Sequence, residues 1–218
     1  MLHSRGLKTG GIVLAAQGPL RLNDREKPKS LLRYGGKSLL RHAAETMIAS
    51  QCKTVAAVLG AAAPELHGEL LGLSIVSAID PDGATGGGSS VRIGFETLLE
   101  HAGRTGGLDA VLLLPCDQPL ITADRLDEFI YDHIITGQPI VAARYGPSFG
   151  LPALFGKTYF PDLLSLHSNS DITGIIHRHP EDVQAISLPE HFTGIDTPED
   201  YERLRQPGNR NLLLRTQK

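Results

Sequence analysis

The sequence predicts an α/β fold in which a mostly parallel sheet is flanked by helices. Two observations carry this prediction: short apolar runs alternate with longer amphipathic runs, and the connections between them are short. A chain of 218 residues, 41% of them hydrophobic, can bury a full core within one domain. We expect residues 1–205 to form this domain and residues 206–218 to form a C-terminal tail.

Each element has a local signal. The short apolar runs are the predicted strands: Ile12–Ala16, Thr54–Leu59, Ser74–Ala78, Ala110–Leu114, Ile140–Ala143 and Val183–Ser187. The amphipathic runs are the predicted helices: Ser38–Ala49, Pro64–Leu71, Ser89–His101, Thr122–His133, Thr158–Leu166, Ile172–His177 and Pro198–Arg205. Ser38, Thr122 and Thr197 stand where helix N-caps are expected, and Thr197 with Asp200 resembles a capping box.

Composition excludes several classes of protein. The net charge of -3 comes from mixed signs, and aromatic residues are few, so nucleic acid is not an expected partner. No apolar run approaches the ~18 residues of a membrane span, and no signal peptide is recognisable. Cys52 and Cys116 are too few and too far apart for a disulfide framework or a zinc site, which favours a reduced, cytoplasmic protein.

Ligands of parallel sheets bind beyond the carboxyl ends of the strands, so the loops that follow strands are the places to look for chemistry. The first such loop follows Ile12–Ala16 and carries Arg21 and Lys29, which are suited to binding phosphates. The alternative is a solvated basic loop between a strand and a helix.

The second loop, "DGATGGGSS", leads into an amphipathic helix. Its glycines let backbone N–H groups approach a ligand, and the helix N-terminus favours an anion or a polar base edge. Ser89 or Ser90 is expected to cap this helix. The alternative is a flexible loop before an ordinary helix.

The third and fourth loops carry acids. Asp117 follows a buried strand in "AVLLLPCDQP" and is well placed to bind Mg²⁺, which prefers oxygen ligands. Asp196, in "FTGIDTPEDYERL", is a second carboxylate that could complete the site, or else belongs to a capping cluster. For His177 and His179 we expect surface positions, because no acid or cysteine stands at a zinc-site spacing.

Five motifs in register resemble a known family. "LAA…R…PKSLL", "GGGSSVRIGF", "LLPCDQP", "GLPALF" and "IDTPEDYERL" occur in the order found in molybdenum-cofactor nucleotidyltransferases. The likeness is to the cytidylyltransferase-like branch, which is similar in plan to the molybdopterin-guanine dinucleotide synthases. It runs from about residue 11 to about residue 205.

The resemblance implies a Rossmann-like three-layer sandwich of the nucleotide-diphospho-sugar transferase type. It also implies Mg²⁺-dependent attack by the phosphate of a molybdopterin-like acceptor on CTP or GTP, with release of pyrophosphate. "LAA" resembles the cytidylyl branch and favours CTP. The family's catalytic residues map onto Arg21, Lys29 and Asp117, its metal ligands onto Asp117 and Asp196, and its substrate-binding pair onto Gly150 and Pro152. The implied nucleotide-binding residues are Leu14, Ala15, Ala16, Gln17, Gly18, Gly88, Ser89, Ser90 and Gly94.

The chain also departs from the family pattern. Gln17 and Pro19 stand where the family has glycine and serine, and Gly194 stands where it often has Asp or Asn. The family's Gly-Asp-x-Gly-Ala-Arg segment is replaced by "SNSDITG", in which Asp171 is an approximate counterpart. These departures leave an alternative open: a non-catalytic relative that binds nucleotide or cofactor and delivers it to a molybdoenzyme partner.

Overall fold

The computed structural model describes residues 7–16, 18–22, 25–83, 87–103, 107–167, 172–189 and 194–206. The strands are β1 (Thr9–Ala15), β2 (Pro19–Leu22), β3 (Arg25–Pro28), β4 (Arg33–Tyr34), β5 (Lys37–Ser38), β6 (Thr54–Leu59), β7 (Val76–Ile79), β8 (Ala110–Pro115), β9 (Ile140–Tyr145), β10 (Ser148–Gly156) and β11 (Val183–Ser187). The α-helices are α1 (Leu39–Ala49), α2 (Ala63–Glu69), α3 (Gly87–Gly103), α4 (Ala123–Thr136), α5 (Phe160–Leu164), α6 (Thr173–Arg178) and α7 (Pro198–Arg205). Short 3₁₀ helices span Lys29–Leu31, Lys157–Tyr159 and Pro180–Asp182.

A seven-stranded sheet with the order β11-β9-β10-β8-β1-β6-β7 forms the centre of the fold. Its strands pair in parallel except for β10, which is antiparallel to both β8 and β9. The predicted α/β class, with a mostly parallel mixed sheet, is therefore confirmed.

Helices cover both faces of this sheet. One face packs against α1, α2 and α4, and the other packs against α3, α5 and α6. Within β1, Val13 and Ala15 belong to the first core, whereas Ile12 and Leu14 belong to the second. Because both faces of the strand are buried, it reads in sequence as one continuous apolar run.

The predicted helices and strands are present, with ends shifted by a few residues. Ser38 caps α1 and Thr122 caps α4 by accepting hydrogen bonds from the N–H groups of Arg41 and Arg125. Thr197 and Asp200 form a reciprocal capping box at α7. These three start signals were reliable because a cap is a contact between residues three apart in the chain.

Three features were missed. β10 was not predicted, because "SFGLPALFG" has no regular alternation; its register shifts between Gly150 and Ala153, where the strand is irregular. The expected loop after β1 is partly a β2–β3 hairpin, in which Pro19 pairs with Pro28. A second small hairpin joins β4 to β5.

In the described part of the chain no helix combines the length and the apolar character that crossing a bilayer requires. Of the tail predicted at 206–218, only Gln206 falls within the described ranges.

Candidate active site at the carboxyl edge of the sheet

The parallel strands β8, β1, β6 and β7 end side by side, so the loops that follow them meet at one edge of the sheet. Ala16 follows β1, Gly60 follows β6, Asp80 follows β7 and Asp117 lies two residues beyond β8. The starting segment of β10 reaches the same edge, because β10 runs antiparallel to β8. The topology thus gathers the predicted loops around the end of β8.

Asp117 is held rigidly at this edge and is only 4% exposed. The N–H of the preceding residue, Cys116, donates to the Leu14 carbonyl of β1 at 2.9 Å. The Asp117 carbonyl accepts from the N–H of Ile195 at 3.1 Å, which ties the end of β8 to the segment before α7. The backbone on both sides of this carboxylate is therefore fixed by hydrogen bonds.

Lys29 joins the two predicted metal-ligating acids. Its Nζ lies 2.7 Å from Asp196 Oδ1 and 3.6 Å from Asp117 Oδ2. The side chain of Asp196 is 75% exposed, whereas that of Lys29 is 14% exposed. Burial lowers the pKa of Lys29, but its hydrogen bond to Asp196 and the charges of Asp117 and Asp196 outweigh that effect and raise the pKa above its usual 10.5. The ammonium therefore stays charged between the two carboxylates.

A small apolar cluster brings these distant residues together. We call it the hairpin cluster; its members are Leu20, Leu32, Tyr34, Leu39, Ile195, Tyr201 and Leu204. The Tyr201 hydroxyl donates to the Arg33 carbonyl at 2.9 Å and accepts from the Arg33 N–H at 3.3 Å. These contacts join the early segment that carries Lys29 to the late segment that carries Asp196.

Gly194 leaves room in front of the Asp117 carboxylate. A Cβ at position 194 would lie 3.2 Å from Cγ, Oδ1 and Oδ2 of Asp117. Glycine in place of Asp or Asn at this position therefore lets the backbone of the segment before α7 lie close to the Asp117 carboxylate. Two carboxylates within reach of one ammonium, one of them fronted by a glycine, form an oxygen donor set that fits a divalent cation such as Mg²⁺.

A buried acid that the sequence interpretation overlooked lies at the same edge of the sheet, after β7. Asp80 is 1% exposed, and its Oδ2 accepts hydrogen bonds of 2.7 Å from both Ser89 Oγ and Ser90 Oγ. Its Oδ1 accepts from the Asp82 N–H at 3.0 Å. The rule that drew attention to Asp117, an acid directly after an apolar strand, would also have found Asp80 in "SAIDPDG".

The expected cap of α3 by Ser89 or Ser90 is wrong. The helix begins at Gly87, so both serines lie inside its first turn and donate their hydroxyls to Asp80. A carboxylate there is also favoured by the positive end of the helix dipole. Asp80 therefore locks the first turn of α3 against the end of β7.

The walls around Asp80 are close-packed. A Cβ on Gly83 would lie 2.4 Å from Ala16 Cβ and 2.8 Å from Ser90 Oγ. A Cβ on Gly60 would lie 3.0 Å from Ala16 Cα. These two glycines let the loops after β6 and β7 approach the end of β1, which brings Ala16 close to the first turn of α3.

Ser90→Ala tests this lock. The substitution removes one hydrogen bond to a buried carboxylate, and such bonds contribute about 1.5–3 kcal/mol. We expect the free energy of unfolding to fall by that amount in urea titrations. Ser165→Ala is the control, since that hydroxyl donates to the Asp162 carbonyl in an exposed position. Equal stability of the two variants would contradict the lock.

The predicted substrate-side residues are tied to the loop that carries Asp117. Gln118 Nε2 donates to the Leu151 carbonyl at 2.9 Å, and the Tyr145 hydroxyl donates to the same carbonyl at 2.8 Å. A Cβ on Gly150 would lie 3.3 Å from the Tyr145 ring, and Pro152 follows a cis peptide bond. Gly150 and Pro152 are therefore held in place near Asp117 through their neighbours.

The remaining predicted nucleotide-binding residues differ in their positions. The side chains of Leu14 and Ala15 are buried in the two cores. Gly88 is buried in the first turn of α3, and a Cβ on Gly18 would meet open space. Gln17, Asp171 and the side chain of Arg21 lie outside the described residues.

Gly94 has a packing role. A Cβ at this position would lie 2.7 Å from Val58 Cγ2 and 2.8 Å from Ile12 Cγ2, so the glycine lets α3 approach β1 and β6. This contact faces the core, and the assignment of Gly94 to the nucleotide site stays a prediction.

Two other groups consist of residue types suited to thiol or metal chemistry. Burial and the adjacent Asp117 raise the pKa of the fully buried Cys116 thiol, which disfavours a reactive thiolate. The expectation that no acid accompanies the histidines is wrong for His179, since one ligand atom each of His179, Glu181 and Asp182 lies within 4.8 Å of the others. This group precedes β11, at the opposite edge of the sheet from Asp117.

Comparison with known proteins follows from this geometry. Residues 11–183 match the family described as the MobA-like NTP transferase domain. No curated protein is similar enough to this chain to match it.

Several solved structures share the fold. Rv0371c from Mycobacterium tuberculosis H37Rv has a TM-score of 0.73 at 23% identity. The match covers 91% of this chain and 97% of the Rv0371c chain. A homologue of Rv0371c from Mycobacterium sp. strain JC1 has a TM-score of 0.72 at 27% identity, and the match covers 94% of this chain and 97% of the homologue. Mth528, a nucleotidyl transferase from Methanothermobacter, has a TM-score of 0.76 at 19% identity, and the match covers 97% of this chain and 100% of Mth528. Rv0371c has also been solved as a complex with manganese, with a TM-score of 0.68 at 24% identity.

Proposed function

Because the chain belongs to the MobA-like NTP transferase family, we propose that it is an Mg²⁺-dependent nucleotidyltransferase of the cytoplasm. In this proposal it transfers a nucleoside monophosphate from CTP, or from GTP, to a phosphorylated acceptor and releases pyrophosphate. The favoured acceptor is a molybdopterin-type cofactor. One observation carries the proposal: a lysine and two carboxylates converge at the carboxyl edge of the sheet, where ligands of such folds bind.

Nucleotidyl transfer depends mainly on positioning the reactants and neutralising charge. Asp117 and Asp196 are the residues that would hold Mg²⁺, and Lys29 is close enough to contribute positive charge to the same phosphates. Magnesium bound there supplies charge neutralisation on the triphosphate and on the departing pyrophosphate. Arg21 is assigned a second phosphate contact on the strength of the sequence motif.

The nucleoside is assigned, on the sequence motifs, to the backbone at the end of β1 and at the start of α3. Ala16, Gly88, Ser89 and Ser90 would act there through backbone groups, because the serine hydroxyls are engaged with Asp80. CTP is preferred over GTP because "LAA" resembles the cytidylyl branch.

The acceptor is assigned to the side of β10. Gly150 and Pro152 lie there next to the loop that carries Asp117, and Gln118 and Tyr145 hold the intervening backbone. This arrangement would place the acceptor phosphate on the opposite side of Asp117 from the nucleoside. A molybdoenzyme that receives the product is the proposed protein partner.

A direct assay tests the proposal. The protein is incubated with molybdopterin, Mg²⁺ and either CTP or GTP, and pyrophosphate release is measured. We expect release with CTP that requires both the acceptor and the metal. Tight binding of nucleotide or cofactor without pyrophosphate from either nucleotide would instead support the non-catalytic alternative, for which the departures at Gln17 and Pro19 are the motivation.

A further inference from the structure

We propose that Lys29 competes with the divalent cation for Asp117 and Asp196 and moves to the triphosphate when nucleotide binds. Metal and nucleotide would then bind cooperatively, with Lys29 as the coupling residue. This inference rests on the proposed function, because it takes the two carboxylates to be the metal ligands.

The contacts of Lys29 are the first argument. Its Nζ is 2.7 Å from Asp196 Oδ1 and 3.6 Å from Asp117 Oδ2, so the two carboxylates already share one ammonium. A divalent cation needs the same oxygens, and it would lie within a few ångströms of the ammonium if both remained. Like charges at that separation repel strongly in a partly buried site. The lysine and the metal therefore exclude each other from this position.

The second argument is that the lysine can move while its backbone stays in place. Its carbonyl accepts the Leu32 N–H at 3.0 Å, and the adjacent Ser30 is 2% exposed. The flexible four-carbon stem can redirect the ammonium without unfolding this turn. Asp196, with its side chain 75% exposed, lies on the solvent side of the pair. Metal and triphosphate thus have access from the side on which Lys29 would be released.

The third argument concerns where the ammonium goes. Lysine binds phosphate oxygens as a point charge, and a bound triphosphate offers such oxygens next to the same metal. Bound nucleotide would therefore draw Lys29 away from the carboxylates that the metal needs. Bound metal would in turn free Lys29 to contact the phosphates of the nucleotide. Such coupling is reciprocal, so each ligand tightens the binding of the other by the same factor.

Removing the ammonium separates this role from simple phosphate binding. Mn²⁺ binding without nucleotide is measured by electron paramagnetic resonance for the wild type and Lys29→Met, and CTP binding without metal is measured by calorimetry. We expect Mn²⁺ to bind about 5–150-fold more tightly to Lys29→Met, the usual range of coupling between sites. We expect CTP to bind more weakly to the same variant. A merely damaged site would weaken both.

Two further variants complete the test. Lys53→Met removes the same charge from an exposed position at the start of β6, at the opposite edge of the sheet, and should leave both affinities unchanged. Lys29→Gln is a second uncharged variant that should reproduce Lys29→Met, and urea unfolding verifies that each variant is folded.

The outcomes distinguish this inference from the proposed function. Mn²⁺ affinity in Lys29→Met and Lys29→Gln that is equal to or weaker than the wild type overturns the inference and leaves the proposed reaction intact. If Lys29→Met and Lys29→Gln bind Mn²⁺ more tightly but the wild type transfers no nucleotide, the inference is supported and the proposed reaction is refuted. If no variant binds Mn²⁺, both the metal assignment and the inference are wrong.

Discussion

Asp117→Asn is expected to lower nucleotidyl transfer by about 10²–10³-fold, the usual effect of removing one group that stabilises charge in a transition state. Asparagine has the shape of aspartate but lacks its charge, so the change weakens the proposed metal site without creating a cavity. It also removes one of the two carboxylates near Lys29. Pyrophosphate release and Mn²⁺ binding are the measurements, and both should fall together.

The control for Asp117→Asn is Asp132→Asn on α4. The Asp132 carboxylate accepts only a long hydrogen bond of 3.5 Å from Gln184 Nε2 among the contacts described. We expect this control to retain wild-type transfer and Mn²⁺ affinity. Urea titrations should show that Asp117→Asn is folded. The substitution removes the charge of a buried side chain, which is 4% exposed, and keeps the backbone hydrogen bonds on either side. A folded Asp117→Asn with normal Mn²⁺ affinity would refute the metal assignment.

Gly194→Ala is expected to weaken Mn²⁺ binding by about 10–100-fold, the range found when groups that orient metal ligands are altered. The new methyl group would lie 3.2 Å from all three carboxylate atoms of Asp117, on the side that glycine leaves open. Asp117 has little freedom to move away, because the backbone around it is held by Leu14 and Ile195. Isothermal calorimetry with Mn²⁺ measures the effect.

Gly68→Ala is the matched control for Gly194→Ala. It adds the same methyl group in α2, where no heavy atom beyond the chain neighbours and the helix's own backbone lies within 4 Å of the added Cβ. This control should leave Mn²⁺ binding unchanged and stabilise the helix by about 0.5–1 kcal/mol. If Gly194→Ala binds Mn²⁺ as tightly as Gly68→Ala, the space in front of Asp117 is not where the metal binds.

The local signals in the sequence were good predictors of helices and strands. Ser38, Thr122 and Thr197 cap their helices as expected, because a cap depends on residues three apart in the chain. Ser89 and Ser90 were misinterpreted as caps because their partner, Asp80, comes from a different element. Residue type alone does not distinguish a hydroxyl that caps its own helix from one that donates to a neighbouring strand end.

Some residues of the candidate site were easier to predict than others, because residue type alone does not show which elements meet in the fold. The resemblance pointed to Lys29, Asp117 and Asp196, and the parallel sheet explained why loops after strands should meet. The resemblance also included Gly94, because a glycine required for helix–sheet packing is indistinguishable in sequence from one that approaches a ligand. The roles assigned to Lys29, Asp117 and Asp196 remain predictions, as do the assignments of Arg21, Gly18, Gly150 and Pro152.

By itself the sequence determined the alternation of helices and strands, the α/β class and the charged residues available for phosphate and metal chemistry. Only the tertiary structure decided that Lys29 contacts both Asp117 and Asp196, and that Asp80 secures the first turn of α3. The physical reason is the range of the interactions. Apolar periodicity and capping act within one element, whereas the hairpin cluster and the edge of the sheet join residues that are far apart in the chain.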